Sequence, residues 1–311
     1  MNVRVFSSED VYAAVSPGRA LEAVRDAFIA YAKGEWSMPP KVYVPAYPEG
    51  DFRAMPALGA GHASLKWVTS FPGNPAQGLP TVMGLVLLSD ASNGSLLAVL
   101  DAGAVTALRT GAAAVLAAET LGRADAGTAA VVGAGVNGIA AAKTFLARGR
   151  DVALFDMDEE RARRAADELG ARVGSREEAL AADLVVTVTP GHEVLLPEGS
   201  LQPGQHVSLM GADGPGKAEI AVDELLRTRI FADDWEQASH NGELVHAVEA
   251  GKLRRDGITE LGSVLTGDSP GRESDEEMTT FDSTGLAIQD LAIALAATER
   301  LEQLDVQSVD L

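Results

Sequence analysis

Two rhythms of apolar residues follow each other in the first third of the chain. Residues 9–32 place apolar side chains at helical spacing, and residues 103–120 form an alanine-rich stretch of the same kind. Between them, residues 39–99 hold short β-rich runs such as KVYV, SLKWV and TVMGLVLL, broken by Pro-Gly-Asn clusters. The pattern predicts a mostly antiparallel sheet with a helix before it and another after it.

A different order begins at residue 129, where short apolar runs alternate with helical patterns. Strands that alternate with helices are typical of a parallel sheet with helices on both faces. A long C-terminal helix is expected from about Leu286. The expected strands are 129–132, 152–155, 183–189, 206–210 and 229–233, with helices to about 147 and over 159–169.

A glycine motif marks the start of this second region. Gly133, Gly135 and Gly138 spell GxGxxG directly after a strand and at the start of a helix. Such glycines permit a tight turn, a close approach of backbone to pyrophosphate, and packing of helix on strand. Asp156 ends the next strand, where a carboxylate binds ribose hydroxyls and repels a 2′-phosphate. The context predicts a Rossmann site that prefers NAD to NADP, and a glycine turn without a ligand is the alternative.

The two regions suggest an inserted domain. We expect an α/β fold in which a Rossmann dinucleotide-binding domain is inserted in a mixed α+β domain for substrate binding and dimerisation. The expected NAD-binding domain spans 121–285, and the other domain combines 1–120 with 286–311.

Composition narrows the class of protein. The 311 residues carry a net charge of −20 and no cysteine. The charge disfavours nucleic acid and anionic membranes as partners, and the missing thiols exclude disulfides, thiolate catalysis and cysteine-based zinc sites. No secretory signal or membrane span is expected, so we expect a soluble cytoplasmic protein. The 19 arginines and six lysines favour a surface adapted to high salt, and a high-GC genome is the other explanation for this bias.

Four cations stand in apolar surroundings. Arg109 lies in the alanine-rich helix, and its planar fork suits a carboxylate, although a structural salt bridge is the alternative. Lys66 lies between apolar residues of a strand, where burial lowers a lysine pKa and makes it a usable acid or base. A lysine on the exposed face of that strand is the alternative. Lys41 and Arg53 are similar candidates, for which a solvated position is equally expected.

Asp213 follows the apolar run at 206–210, at the edge of the sheet where ligands of α/β proteins bind. A turn-forming aspartate before Gly214 is the alternative. His240 and His246 are six positions apart, which is not the one-turn spacing of a helical zinc pair, so we expect no metal site.

Seven segments together resemble the motif set of the ornithine cyclodeaminase/μ-crystallin family, and most closely its archaeal-type alanine dehydrogenases. They follow the family's order from about Met38 to Asp290: MPPKVYV, FRAMPA, LKWVTSFPGN, LPTV, ALRTGAA, GADGPGK and FDSTGLAIQD. The segment GRESDEE is also similar, and we assign it no chemical role.

The resemblance implies a role for each matching residue. Lys66 and Asp213 are expected to be catalytic, and Lys41, Arg53, Lys66 and Arg109 are expected to bind the substrate. The residues expected to bind the cofactor are Thr81, Arg109, Thr110, Gly133, Gly135, Val136, Asn137, Gly138, Asp156, Thr189, Met210, Gly211, Ala212, Asp213, Lys217 and Ser283.

The activity implied by the resemblance is reversible, NAD-dependent oxidative deamination of L-alanine to pyruvate and ammonia by a homodimer. Two related activities stay open: an ornithine cyclodeaminase, which converts L-ornithine to L-proline and ammonia, and a ketimine reductase. A non-catalytic NAD(P)-binding protein similar to μ-crystallin is the alternative from another class.

Overall fold

A computed structural model describes the chain except for residues 1, 192, 213 and 215. The strands along the described chain are β1 (Asn2–Phe6), β2 (Val42–Ala46), β3 (Gly50–Gly59), β4 (His62–Ser70), β5 (Val82–Asp90), β6 (Leu96–Asp101), β7 (Ala129–Val132), β8 (Val152–Phe155), β9 (Arg172–Val173), β10 (Leu184–Thr187), β11 (His206–Leu209), β12 (Arg229–Ala232), β13 (Ile258–Glu260), β14 (Thr279–Asp282) and β15 (Gln307–Asp310).

The α-helices are α1 (Ser8–Ala14), α2 (Pro17–Ala32), α3 (Ala102–Leu121), α4 (Val136–Ala147), α5 (Glu159–Leu169), α6 (Arg176–Leu180), α7 (Val222–Leu225), α8 (Trp235–Asn241), α9 (Val245–Glu249), α10 (Leu261–Thr266) and α11 (Ala287–Thr298). Short 3₁₀ turns occur at Asn74–Gln77, Arg255–Gly257 and Leu301–Gln303.

Two compact units make up the chain: Met1–Arg109 with Leu286–Leu311, and Thr110–Gly285. The first unit is built on a seven-stranded sheet in the order β15-β1-β6-β5-β4-β3-β2. Strands β2 to β6 form an antiparallel meander, as expected, while β1 pairs in parallel with β6. Helix α11 packs against α2 and against β3, β4 and β5, so one face of the meander is covered.

The second unit is built on an eight-stranded parallel sheet in the order β13-β12-β14-β11-β10-β7-β8-β9. The central strands β7, β10, β11 and β14 are buried along their whole length. Strands of a parallel sheet covered on both faces are commonly apolar, and apolar runs made β7 and β10 visible in the sequence. In contrast, β11 and β14 carry buried polar side chains such as His206 and Asp282, and β14 was not expected from the sequence. The core around them is formed by alanine, valine, leucine and isoleucine side chains.

The expectation of one helix over residues 9–32 is wrong. The structure has two helices there, and the second one starts with Pro17 after the N-cap Ser16. Proline has no N–H to donate inside a helix but is favoured in its first turn, and serine caps the following N–H groups. The pair Ser16-Pro17 therefore marks the start of a second helix, which the helical spacing of apolar residues does not reveal.

One described helix, α3, is long and apolar enough to cross a membrane. Its most apolar stretch is 83% buried inside the protein, which is typical of a core helix.

Candidate functional site

The glycine turn joins β7 to α4. Gly133 has a φ of +107°, a conformation that L side chains rarely adopt. A Cβ on Gly138 would lie 1.7 Å from the carbonyl oxygen of Gly133, so α4 closes on the turn only because residue 138 has no side chain. A Cβ on Gly135 would meet no atom within 4 Å, which leaves that side of the turn open. Together with the free N–H groups at the start of α4, formed by Val136 and Asn137, this arrangement fits a dinucleotide pyrophosphate.

Asp156 follows β8, and its carboxylate turns back to the glycine turn. Oδ2 accepts a hydrogen bond from the backbone N–H of Ala134 at 2.8 Å, and Oδ1 accepts one from the N–H of Asp158 at 2.9 Å. The Nη1 atom of Arg161 lies 3.4 Å from Oδ1. Asp158 itself caps α5 by accepting from the N–H of Arg161.

The carboxyl ends of β10 and β11 are tied together by Glu219, a fully buried residue. Its Oε1 accepts from the N–H and the hydroxyl of Thr189 at 2.8 and 2.7 Å. Its Oε2 accepts from the hydroxyl of Thr187 at 2.7 Å and from the N–H of Gly211 at 2.9 Å. A Cβ on Gly211 would lie 2.5 Å from the Glu219 carboxyl carbon, so these groups approach as closely as a glycine allows. Burial raises the pKa of Glu219, while the four donors favour its charged form.

Other residues with an expected cofactor role lie at the same edge of the second sheet. Met210 and Ala212 follow β11 and are buried. Ser283 follows β14, and its hydroxyl donates to Oδ2 of Asp233 at 3.0 Å. Lys217 lies half-buried in the loop before Glu219. Ligands of α/β proteins bind at this carboxyl edge, so the positions agree with the expected role without testing it.

In the first unit, Lys66 lies on the covered face of β4 and is 2% exposed. Its Nζ donates to Oδ1 of Asp290 at 2.7 Å and to the hydroxyl of Thr106 at 3.3 Å. This burial excludes the exposed-face alternative. Burial is the main cause that lowers the pKa of Lys66 to about 8; Arg109 and Arg53 lower it further, whereas Asp290 raises it.

Arg109 lies on α3 with a side chain that is 12% exposed. Its Nε is 3.7 Å from Oδ1 of Asp290, an ion pair without hydrogen-bond geometry. Among the described residues this buried Nε has no hydrogen-bond partner, and neither has the hydroxyl of the next residue, Thr110. A guanidinium with an N–H group that has no partner can donate hydrogen bonds to an additional anion.

Arg53 is engaged differently. Its Nε and Nη2 donate to the two carboxylate oxygens of Asp51 at 2.6 and 3.2 Å, and its guanidinium lies 5.4 Å from the centre of the Tyr43 ring. Lys41 directly precedes β2, and Thr81 directly precedes β5. Asp51 therefore already pairs with the guanidinium that Arg53 would offer to a substrate.

Asp213, the expected catalytic acid or base, lies outside the described residues. The GRESDEE segment, which had no expected role, contains a structural arginine. Arg272 donates to the carbonyl oxygens of Leu121 at 2.7 Å and Gln205 at 3.1 Å, and to the hydroxyl of Thr279 at 2.9 Å. The segment thus binds the end of α3 to the start of β11 and β14.

No group of three His, Asp or Glu side chains suited to a metal ion occurs in the part of the chain that the structure describes. His206 is fully buried and exchanges hydrogen bonds with Thr279 and Ser208, and burial lowers its pKa to about 3. It is therefore neutral and structural.

Sequence reasoning missed Asp290 and Glu219. Asp290 is a carboxylate in an alanine- and leucine-rich helix, and such an isolated charge was a signal that a cationic partner must exist. Glu219 lies in a loop between Ala218 and Ile220, and no motif or spacing distinguished it from a solvated glutamate.

A comparison with known protein families identifies the family of this chain. The model of the ornithine cyclodeaminase/mu-crystallin family matches residues 2–304. The chain belongs to this family. The expected family and the α/β fold with a Rossmann-type unit are confirmed.

Members of the family with several activities are similar to the chain over nearly its whole length. Alanine dehydrogenase from Archaeoglobus fulgidus is 41% identical over 317 residues, covering 99% of this chain and 98% of the relative. An archaeal alanine dehydrogenase dimer with bound NAD has a TM-score of 0.94 at 39% identity, covering 100% and 99% of the two chains. The Δ¹-pyrroline-2-carboxylate reductase of Thermococcus litoralis, in complex with NADH and L-proline, has a TM-score of 0.92 at 25% identity, covering 99% and 100%.

Proposed function

We propose that this member of the family catalyses the NAD-dependent oxidative deamination of L-alanine. In this reaction L-alanine, water and NAD⁺ give pyruvate, ammonium, NADH and a proton. The observation that carries the proposal is Arg109, a nearly buried guanidinium whose Nε has no hydrogen-bond partner among the described residues. Because its ion pair with Asp290 lacks a hydrogen bond, Arg109 can donate to a further anion, and the carboxylate of an amino acid matches its planar fork.

The second unit supplies the NAD site. The glycine turn with the N–H groups of α4 holds the pyrophosphate, and Asp156 binds the ribose hydroxyls. The strand-end residues around Thr189, Gly211 and Ser283 border the nicotinamide end. When bound, NAD accepts the hydride from Cα of the amino acid.

The first unit supplies the cations for the amino acid. Arg109 binds and orients the carboxylate, while Arg53 contributes less because Asp51 already holds it. Lys66 exchanges a proton with the substrate nitrogen or with the attacking water, which a lysine with a pKa of about 8 can do near neutral pH. Asp213 is retained as the second acid or base in this proposal.

L-Alanine is proposed as the substrate because an alanine dehydrogenase is 41% identical over 99% of the chain. A ketimine reductase is the second candidate, favoured by the TM-score of 0.92 with a reductase solved in complex with L-proline. The two candidates share the carboxylate, the nitrogen and the hydride transfer at Cα, so the cluster around Arg109 suits both.

The deciding experiment follows NADH absorbance and proline formation with the purified full chain. NADH formed from NAD and L-alanine supports the proposal. NADH consumption with Δ¹-pyrroline-2-carboxylate but not with pyruvate and ammonia would establish the reductase. Proline formed from L-ornithine without net NADH would establish the cyclodeaminase, and binding of NAD without turnover of any substrate would leave a binding protein.

An Arg109→Lys variant tests the role of the fork. We expect its KM for alanine to rise about 10- to 100-fold, because lysine keeps the charge and loses the paired hydrogen bonds. Arg148→Lys, at a half-exposed salt bridge with Glu119, is the matched control and should have the kinetics of the unmodified enzyme.

We also propose that the enzyme is a homodimer through the uncovered face of the first sheet. Val42, Ala54, Trp67 and Leu85 are register neighbours across β2, β3, β4 and β5 and form an apolar row. Trp67 is 43% exposed and Leu85 is 51% exposed. Contiguous apolar surface of this kind marks an interface, and the archaeal alanine dehydrogenase neighbour is a dimer.

A further inference from the structure

Asp290 is the most deeply buried charge of the first unit that the proposed mechanism does not use. It lies in the first turn of α11, and its side chain is 1% exposed. Apart from Gln289 and Thr298, the helix around it consists of alanine, leucine and isoleucine, all buried except Leu295. An ionised carboxylate in such a place is stable only beside a compensating charge.

The compensating charges are two cations from other elements. One oxygen, Oδ1, lies 2.7 Å from Nζ of Lys66 and 3.7 Å from Nε of Arg109. The other oxygen, Oδ2, has no hydrogen-bond partner among the described residues. The carboxylate is thus fixed at one oxygen by the lysine that carries the proposed proton transfer.

The groups that face Lys66 come from every element packed around it. From β3 comes Arg53, held by Asp51; from α3 come Arg109 and the uncharged hydroxyl of Thr106. On β5, the residue in register with Lys66 is the apolar Val86. From α11 comes Asp290. Among these described groups, Asp290 is the anion in contact with the ammonium.

We propose that Asp290 is a positioning residue that keeps Lys66 protonated and holds its ammonium in place. Its importance for turnover rests on the proposed function, whereas its effect on the lysine does not. Without the carboxylate, Lys66 faces burial and two arginines, all of which favour the neutral amine. The neutral amine has no proton to give and loses its anchor at Oδ1.

Lysine NMR measures this effect directly, because the chain has six lysines. In full-length protein labelled with ¹³C at the lysine Cε, Lys66 is assigned by its absence in Lys66→Arg. We expect the titration midpoint of Lys66 to lie near pH 8 in the unmodified protein and at least about one pH unit lower in Asp290→Asn. The asparagine keeps an oxygen acceptor and removes the negative charge. The other five resonances report whether the variant is folded.

Two further variants complete the test. Thr106→Val removes the uncharged acceptor of Lys66, and we expect the midpoint to stay within about 0.3 unit of the unmodified protein. Asp290→Glu keeps the charge and displaces it, so the midpoint should remain close to 8 while kcat falls. An unchanged midpoint in Asp290→Asn, or the same shift in Thr106→Val, would overturn the proposal.

Kinetics separate this inference from the proposed function. The pH profile of kcat/KM should contain a step that reports the ionisation of Lys66. In Asp290→Asn, this step should move to lower pH by the same amount as the NMR titration midpoint. Absence of alanine oxidation by the unmodified enzyme would refute the proposed function and leave the NMR result intact. An unmoved NMR midpoint would refute the role of Asp290 and leave the alanine assay intact.

Discussion

Oδ2 of Asp156 lies 2.8 Å from the backbone nitrogen of Ala134, so one carboxylate both shapes the glycine turn and presents a negative charge beside it. Its other oxygen is 3.4 Å from Arg161. In the proposed NAD site, cofactor selectivity and the shape of the turn therefore depend on the same side chain, which also forms an ion pair with Arg161.

We expect Asp156→Asn to reduce kcat/KM with NAD about 10- to 100-fold and to increase it with NADP, because the repulsion is lost and Arg161 becomes available to a 2′-phosphate. Steady-state kinetics with both cofactors measures this exchange. Glu160→Gln removes an exposed charge of the same helix that pairs with Arg163 and not with Arg161, so its cofactor ratio should remain that of the unmodified enzyme. Equal ratios for both variants would contradict the assignment of Asp156.

Substitutions of Gly135 and Gly138 are expected to have different effects on stability and on NAD binding. Gly135→Ala should fold normally and bind NAD more weakly, since its Cβ meets no protein atom but occupies the open side of the turn. Gly138→Ala should lose stability as well, since its Cβ would lie 1.7 Å from a backbone oxygen. Thermal unfolding with and without NAD separates the two effects. A normal NAD affinity in Gly135→Ala would show that the pyrophosphate binds elsewhere.

Glu219→Gln should weaken NAD binding more than it changes the KM for the amino acid. The amide nitrogen faces donors, so up to two of the four hydrogen bonds to Thr187, Thr189 and Gly211 are lost, at a cost of about 2 kcal/mol in unfolding free energy. Glu224→Gln is the matched control, because Glu224 accepts from the N–H groups of Gly199 and Leu201 before β11, at the other edge of the sheet. Both variants should be less stable, and only the first should alter the KM for NAD.

Lys66 predicts a pH dependence of stability. Its pKa is about 8 in the folded protein and 10.5 as its ordinary value. Between these values the unfolded chain holds a proton that the folded protein has released, so the unfolding free energy rises with pH, by about 3 kcal/mol over the full interval. Denaturant unfolding from pH 8 to 10.5 should show this rise in the unmodified protein and a smaller rise in Lys66→Met. Parallel curves would mean that Lys66 titrates normally.

The uncovered face of the first sheet predicts a change of oligomeric state. Leu85→Asp should produce a monomer in size-exclusion chromatography with light scattering, because a charge is placed in the apolar row. Val173→Asp, at an exposed position of the second unit, should leave the oligomeric state unchanged. A dimeric Leu85→Asp protein would place the interface on another surface.

The sequence predicted those features that depend on neighbours along the chain. The glycine turn and the position of Asp156 follow from local spacing, and strands β7, β8 and β10 follow from their apolar runs. Asp290 was missed because its partner Lys66 is 224 positions away, and only the packing of α11 on β4 brings them together. The hydrogen bonds between Arg53 and Asp51 form because residues two apart on a strand lie on the same face, and the motif that contains Arg53 does not reveal this pairing.

The same separation of 224 positions sets an order of events in the cell. A newly made chain emerges from the ribosome at roughly 5–20 residues per second, so Lys66 appears roughly 10 to 45 seconds before the carboxylate that stabilises it. During this interval the helix that covers β3, β4 and β5 has not been synthesised. The side chain of Lys66 can therefore be covered only after α11 has been synthesised.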